Sequence, residues 1–317
     1  MLWFYILIFI IAFITLLLVI ISFILFKNVI ARNNDYNVNK DRENIFRGSL
    51  KFNPDDSWDK WEWFKKYGED IYIKSQDSLL LHGIFIKSNN AKRTIVMVHG
   101  YRGSYEGDFN QKANWAVENN CNILCIDQRG CNYSEGKYLT MGINESLDLR
   151  CWVDYLLSFN DNLPIYLWGV SMGCATCLMS LNKPYSDLVK GVIADCGYTS
   201  PYEIFKAICR RHIHFTPHII LFIFNVLCRL FAGFSLKELD TRKILKENKL
   251  PILFIHGLAD DFVPCFMSKE NYKSTKVYKD LLLVKDCPHA VSYYRVTEEY
   301  KNKVEDLFNY CENKLNY

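Results

Sequence analysis

The chain carries almost no net charge. Its 38 Lys and Arg against 35 Asp and Glu leave +3 over 317 residues, without the basic field that nucleic-acid binding requires, so no nucleic-acid partner is expected. It also lacks a disulfide framework. Twelve cysteines in 317 residues fall well under the ~8–10% that marks a disulfide scaffold, and their spacing is irregular. No fixed-period repeat is present, which excludes a solenoid. No Gly-x-Gly-x-x-Gly or Walker pattern occurs, so no nucleotide cofactor is expected, nor any other cofactor. Cys174 and Cys177 form a Cys-x-x-Cys without the second pair that structural zinc needs; they read as buried helix residues, and no metal is expected. What remains, at 50% hydrophobic and 23% charged residues, is the composition of an ordinary globular chain.

The one long hydrophobic run stands at the start. From Met1 to Phe26 only Thr15 and Ser22 are not apolar. As a helix rising ~1.5 Å per residue it is about 39 Å long, enough to cross a ~30 Å hydrocarbon core with some tilt. A cleaved signal peptide would carry a basic segment ahead of a shorter run and then a small-residue cleavage site. No Lys or Arg precedes this run, and Phe26-Lys27-Asn28 offers no such site. Residues 1–27 are therefore expected to be an uncleaved, single-pass membrane anchor. Lys27, Arg32, Lys40 and Arg42 all come after it, which by the positive-inside rule leaves the C-terminal body in the cytoplasm. Cysteines in no framework spacing agree with a reducing compartment. Residues 28–68 read as a linker, Asn- and charge-rich to about Gly48, and a short helix. In it Trp58, Trp61, Trp63 and Phe64 either sit at the headgroup level or pin the helix to the body.

The body, residues 69–317, begins with two apolar or alternating runs, Glu69 to Lys74 and Leu79 to Lys87, joined by the turn chemistry of Ser75-Gln76-Asp77-Ser78. That pattern predicts an antiparallel hairpin. Short Val/Ile/Leu-rich runs come next at Thr94–Val98, Asn122–Ile126, Ile165–Trp168, Val189–Ala194, Ile252–Ile255 and Leu281–Val284. Runs this short and nearly continuous suit strands covered on both faces, as in parallel sheets. Helical segments fall between most of them. The clearest is Ile143 to Ser158, with Asn144 as its expected N-cap. The fold class is therefore α/β, a mostly parallel open sheet begun by antiparallel strands. The alternation breaks over residues 197–250. That insertion is expected to be a helical cap over the strand ends; a surface helix dipping into lipid is the competing reading of its apolar stretch from Pro217 to Phe234.

Ligands in such sheets bind beyond the carboxyl ends of the strands, so the residues just after each strand matter most. After Ile165–Trp168 comes Gly169-Val170-Ser171-Met172-Gly173, Gly-x-Ser-x-Gly between a strand and a helix. The glycines permit a sharp turn with backbone against backbone. The turn lifts the Ser171 hydroxyl beside a helix N-terminus that favours developing negative charge. A serine hydroxyl is a weak nucleophile unless a base takes its proton. Of seven histidines, His82 lies in the hairpin and His212, His214 and His218 lie in the cap. His99 and His256 end strands before Gly100 and Gly257, where backbone shape explains them. His289, on a loop after the last run, is the expected base. It needs an acid to hold its tautomer. Asp260, after Ile252–Ile255, is the first choice and the adjacent Asp261 the second. An oxyanion needs preorganised N–H donors, each worth ~2.7–4 kcal/mol. The backbone N–H groups of Met172 and Tyr101 are expected to supply them, while the Tyr101 side chain and Arg102 are either substrate contacts or merely exposed.

These pieces together resemble the alpha/beta hydrolase superfamily. The matching residues are His99-Gly100-Tyr101, Asp127-Gln128-Arg129-Gly130 with Ser134-Glu135-Gly136, the Ser171 turn, His256-Gly257 with Asp260 and Val263-Pro264, and His289. More narrowly the chain is similar to bacterial membrane-anchored serine hydrolases with a small helical cap, of the serine aminopeptidase-like and prolyl-oligopeptidase-like group. The resemblance implies eight strands and a serine acyl-enzyme route, with nucleophile, acid and base in that chain order. Two departures stand out: Cys131 where relatives usually carry His, and Asp77-Ser78 where they often carry Asp-Gly. Three functions are compatible with it. The first is a carboxylic-ester hydrolase acting on small apolar or membrane-derived acyl substrates. The second is a peptidase or amidase with the same machinery, and the third a non-catalytic binding protein on this fold. The anchor and the apolar cap favour the ester hydrolase.

Overall fold

The computed structural model describes residues 1–32 and 60–313. Trp58 and nearly all of the expected linker lie outside them. Helix α1, Leu2–Val29, is long and apolar enough to cross a bilayer. Only its Ser22 and Phe26 are buried. Helix α2, Lys60–Tyr67, is held to the body by Phe64, whose buried ring meets that of Tyr105 with centroids 5.1 Å apart. For Phe64 and its neighbour Trp63, which packs on the same cluster, the aromatic stretch is therefore a pin.

Eight strands form one sheet: β1 Glu69–Lys74, β2 Leu80–Ile86, β3 Arg93–Val98, β4 Cys121–Ile126, β5 Ile165–Val170, β6 Val189–Asp195, β7 Ile252–Gly257 and β8 Lys279–Val284. Their spatial order is β1-β2-β4-β3-β5-β6-β7-β8. The β1–β2 and β2–β4 pairs are antiparallel and all others parallel. Strands β4, β5 and β7 are buried at every position, which is why they read as continuous apolar runs rather than alternating ones.

Alternate side chains of these strands feed two cores. On one face Ile95, Met97, Ile123 and Trp168 pack against helix α3 (Tyr105–Glu118) and the C-terminal helix α11 (Thr297–Asn313), which comes after the short α10 (Ser292–Arg295). On the other face Val96, Val98, Leu124 and Leu167 meet helix α4 (Ile143–Leu157) and helix α5 (Met172–Ser180). Trp152 of α4 is wholly buried there, and truncating such a residue to Ala costs about 3–5 kcal/mol. The expected N-cap of α4 is corrected. Gly142, at φ 87°, precedes the helix. Thr140 Oγ1 accepts from Asn144 N, and the Glu145 carboxylate accepts from the N–H groups of Thr140 and Gly142. Asn144 is thus already inside the first turn, and a threonine four residues earlier does the capping.

Between β6 and β7 the insertion forms three helices, α6 (Pro201–Ile213), α7 (His218–Ala232) and α8 (Thr241–Glu247), before α9 (Phe266–Ser274) resumes the alternation. Ser200 caps α6 by accepting from Glu203 N, with Pro201 at the first helical position, where a missing N–H is harmless. A third cluster joins Phe26 and Ile30 at the end of α1 to Leu221, Phe224 and Cys228 of α7 and to Met172 of α5. Just past α1 the chain is docked rather than free: Ala31 bridges Tyr138, and the Arg32 guanidinium donates to the carbonyls of Ser134 and Asn132 at 2.8 Å. The first residues after α1's end thus belong to the body, not to the linker. Cys131, the departure in the Asp127 loop, is buried in this third cluster. The other departure, Ser78, sits at φ 69°, a left-handed position that glycine occupies without strain.

Candidate active site

In this sheet the chain steps outward from β3 to β4 and then returns to place β5 on the other side of β3. The helices that follow β3 and β5 lie on opposite faces of the sheet, α3 on one and α5 on the other, and it is at such a switch, at the carboxyl ends of the strands, that open α/β sheets bind ligands. The Ser171 turn comes after β5 and the His99-Gly100-Tyr101 loop after β3, so topology alone makes them neighbours. The contact is tight: a Cβ on Gly173 would lie 1.9 Å from the Val98 carbonyl oxygen, and one on Gly169 2.3 Å from that of Gly173. Only glycine fits at either position.

Ser171 itself is held at φ 55°, ψ −117°. A side chain in this sparsely populated region is strained, and such strain persists only where the surroundings fix it. Here Ser171 N donates to the Asp195 carbonyl at 2.9 Å, and α5 begins directly after it. The hydroxyl meets His289 Nε2 at 2.9 Å, and His289 Nδ1 meets Asp260 Oδ2 at 2.6 Å. Three residues from the ends of three different strands are thereby joined in one hydrogen-bonded chain. Asp261 is not part of it; it faces outward and pairs with Arg211 of α6 at 2.6 Å.

Asp260 is buried and heavily bonded. Its Oδ1 accepts from the N–H groups of Phe262 and Val263 at 2.9 and 2.8 Å. Burial alone would raise its pKa, but the hydrogen bonds from His256 and His289 outweigh that and hold the carboxyl well below the usual range. Backbone shape, the sequence-based account of His256, holds only for its neighbour Gly257, whose Cβ would strike the Cys287 carbonyl. The His256 side chain does more. Its Nε2 lies 3.0 Å from Asp260 Oδ2 and 2.9 Å from the Val263 carbonyl, and its Nδ1 lies 2.7 Å from Ser268 Oγ. Two acceptors around Nε2 place the proton there, with Ser268 donating to Nδ1. Asp260 is thus held from both sides. The available signal was a histidine at the end of a strand, four residues before a carboxylate.

The N–H groups of Tyr101 and Met172 donate to no acceptor among the described residues. That is the condition for a site that binds a developing oxyanion. His99 fixes the Tyr101 loop: its Nδ1 bonds the Gly100 carbonyl at 2.7 Å and its Nε2 accepts from Gln128 N at 3.1 Å. Asp108 Oδ2 accepts from Gly100 N at 2.6 Å. The Tyr101 and Arg102 side chains do not reach toward the serine. Tyr101 Oη donates to the Val29 carbonyl and Arg102 to the Ala31 carbonyl, each at 2.7 Å, which satisfies oxygens left open at the end of α1.

Among the described residues one group has metal-like spacing, Cys196, Asp260 and His289, with ligand atoms all within 4.8 Å. Two of its three members already bond each other, and burial pushes the Cys196 thiol well above its ordinary pKa, so it offers no thiolate. The cap histidines His212, His214 and His218 are exposed and join no such group. Cys174 and Cys177 are buried free thiols on α5, as the sequence implied.

A family model for the alpha/beta hydrolase fold matches residues 93–211. An uncharacterized protein of Bacillus subtilis, YqkD, is 24% identical over 262 residues, covering 82% of this chain and 86% of its own. Among solved structures, the Pyrococcus furiosus esterase Pf2001 superposes with a TM-score of 0.63 at 23% identity, over 80% of this chain and 96% of that one. The Pyrococcus horikoshii acylaminoacyl peptidase superposes with a TM-score of 0.57 at 20% identity, over 80% of this chain and 43% of that one.

Proposed function

We propose that this member of the alpha/beta hydrolase superfamily is a membrane-anchored serine hydrolase that cleaves carboxylic esters of apolar or membrane-derived acyl groups. Ser171 Oγ attacks the ester carbonyl while His289 Nε2 takes its proton. Asp260 keeps the imidazole proton on Nδ1 and stabilises the imidazolium. The carbonyl oxygen, now an anion, accepts from Met172 N and Tyr101 N, beside the positive end of α5. Collapse breaks the ester bond; the alcohol leaves with the proton from His289, and the acyl group stays on Ser171. Water then attacks this ester, giving its proton to His289, and a second collapse returns the proton to Ser171 and releases the acid.

The observation that carries this reading is the unbroken chain Ser171–His289–Asp260, at 2.9 and 2.6 Å. It also weighs against a binding protein without catalysis, for which any one partner would be dispensable. An amide would pass through the same steps, and a substrate panel separates the two. p-Nitrophenyl esters of graded chain length should turn over and aminoacyl-anilides should not; the reverse pattern makes the protein a peptidase. Reaction with a fluorophosphonate and then peptide mapping should place the adduct on Ser171. An adduct elsewhere, or none, removes the assignment.

Helix α1 is read as the anchor, with residues after it in the cytoplasm, on the strength of Lys27 and Arg32 flanking its end. Protease added outside intact cells or spheroplasts should leave the body whole, and its digestion would reverse the orientation.

A further inference from the structure

Helix α7 is apolar on both faces. Leu221, Phe224 and Cys228 are buried in the third core cluster. Ile219, Phe222 and Leu230 point the other way and are 63%, 68% and 72% exposed. At 3.6 residues per turn those three and Val226 fall within an arc of about 80° that holds no charged side chain. Between the two faces lie only His218, Asn225 and Arg229 as polar residues; an outer face this apolar needs cover from protein or lipid, and at 15 residues the helix is too short to span a bilayer.

Its neighbour indicates what covers it. The flank of α7 between the two faces packs on the last turns of α1. Ser22 Oγ lies 3.4 Å from the Ile220 carbonyl, and the Phe231 ring lies 6.4 and 5.8 Å from those of Phe23 and Phe26. These α1 residues precede Lys27, the first charge after the apolar run. Counted back along the helix, Ser22 lies about 7.5 Å deeper than Lys27. Interfacial amphipathic helices lie with their apolar face about 5–10 Å into the boundary of headgroups and acyl chains.

We infer that the outer face of α7 rests in the bilayer interface beside α1, so that the Ser171 site opens at the membrane surface and takes its acyl substrate from lipid. The inference rests on the reading of α1 as a membrane anchor. The same apolar cluster that seats α7 on α1 also contains Met172, next to the nucleophile. The Tyr101 loop beside Ser171 is tied by side-chain bonds to the carbonyls at α1's end. The site is thereby held at a fixed, short distance from the point where the anchor leaves the membrane. Phe262, whose ring lies 5.2 Å from that of His289, is itself about half exposed and gives the mouth an apolar rim.

The test uses the full chain in vesicles of phosphatidylcholine and phosphatidylglycerol. A nitrobenzoxadiazole label on Phe222→Cys, with the partly exposed Cys151, Cys209 and Cys265 changed to Ser, should be quenched by lipids spin-labelled shallowly on the acyl chain. The same label on Asp161→Cys, in the exposed loop before β5, should not. Phe222→Asp should slow hydrolysis of a long-chain ester dispersed in the vesicles by about tenfold, the equivalent of losing one buried aromatic side chain from lipid. It should leave p-nitrophenyl acetate in water unaffected, and Phe222→Leu should restore the vesicle rate. An unquenched label in protein whose α1 resists carbonate extraction overturns the inference while leaving the anchor intact. So does a label buried against a second copy of the chain, or equal loss on both esters. Extraction of the wild-type chain by carbonate removes the anchor reading, and the inference with it. A chain that stays in the vesicles but cleaves neither ester refutes the hydrolase reading and, with it, lipid as substrate source.

Discussion

Two histidines in this protein each hold an aspartate on Nδ1 and differ in what meets Nε2. His82, wholly buried in the β1–β2 hairpin, has Asp127 on Nδ1 at 2.7 Å and a second carboxylate, Asp70, on Nε2 at 2.9 Å. The rings of Tyr72 and Tyr133 lie 5.0 Å from it. His289 has Asp260 on Nδ1 and the Ser171 hydroxyl on Nε2. Two carboxylates demand a donor on each ring nitrogen. Burial works against the charged form of His82, but its bonds to Asp127 and Asp70 win and raise its pKa. A cation so held has no lone pair left, so it clamps and cannot act as a base. A hydroxyl, by contrast, can donate, and leaves His289 Nε2 with the lone pair that general-base chemistry needs. The same ring suits two jobs, and the partner on Nε2 decides which.

The comparison is sharpest at the hydroxyl. Ser171→Ala should lower kcat by on the order of 10⁶ while thermal melting stays near the wild-type value. A rate within tenfold of wild type would mean that the Ser171–His289 contact is structural, like that of His82. Asp260→Asn comes next: it leaves the imidazole without the acceptor that fixes its tautomer, and kcat should fall by about 10⁴. Steady-state kinetics on the best p-nitrophenyl ester measures both.

The His82 side of the comparison is tested by stability. His82→Gln should cost about 2–3 kcal/mol at neutral pH, the worth of a hydrogen bond to a charged group, with kcat/KM in the folded fraction retained. The raised pKa sets the pH dependence. A group whose folded pKa lies above its ordinary value of 6.5 contributes fully below that value and loses its contribution as pH rises through the folded one. The melting gap between wild type and His82→Gln should therefore be widest below pH 6.5 and narrow toward alkaline pH. A gap that widens on the alkaline side would show that His82 folds neutral. The smallest effect belongs to Asp70→Asn. Asp70 is 69% exposed, and an ion pair screened by water on one side is worth no more than about 1 kcal/mol. Urea titration should barely distinguish it from wild type.

Much of this was legible in the residues. The short apolar or alternating runs located all eight strands to within a residue or two, most plainly for β4, β5 and β7, because a strand buried on both faces leaves few polar positions to blur its signal. Ser171, Asp260 and His289 were legible because each stands just after such a run, where an α/β sheet exposes its loops. The N-cap of α4 was misread because Thr140 caps it across a glycine turn rather than from the adjoining position. The part played by the His256 side chain is hidden in the sequence because its bond to Asp260 depends on how the loop after β7 curls, and the spacing of two residues does not state a curl. For a similar reason the sequence leaves the Tyr101 and Arg102 side chains open between substrate contact and simple exposure: their partners, the carbonyls of Val29 and Ala31, lie about seventy positions away in the chain.

Short stretches of residues are enough to give the classes of element, the order of the strands along the chain, and Ser171, His289 and the Asp260–Asp261 pair as candidates. Those depend on local periodicity and on turn chemistry confined to a few consecutive residues. Packing of the whole chain is what sets Asp260 rather than Asp261 against the imidazole, leaves His289 rather than His82 a lone pair, and ends the apolar N-terminal helix against the loop beside Ser171. These are pairings between groups far apart in sequence. Each is fixed by how the twisted sheet and its crossovers bring distant loops to one edge, and no local pattern carries that information.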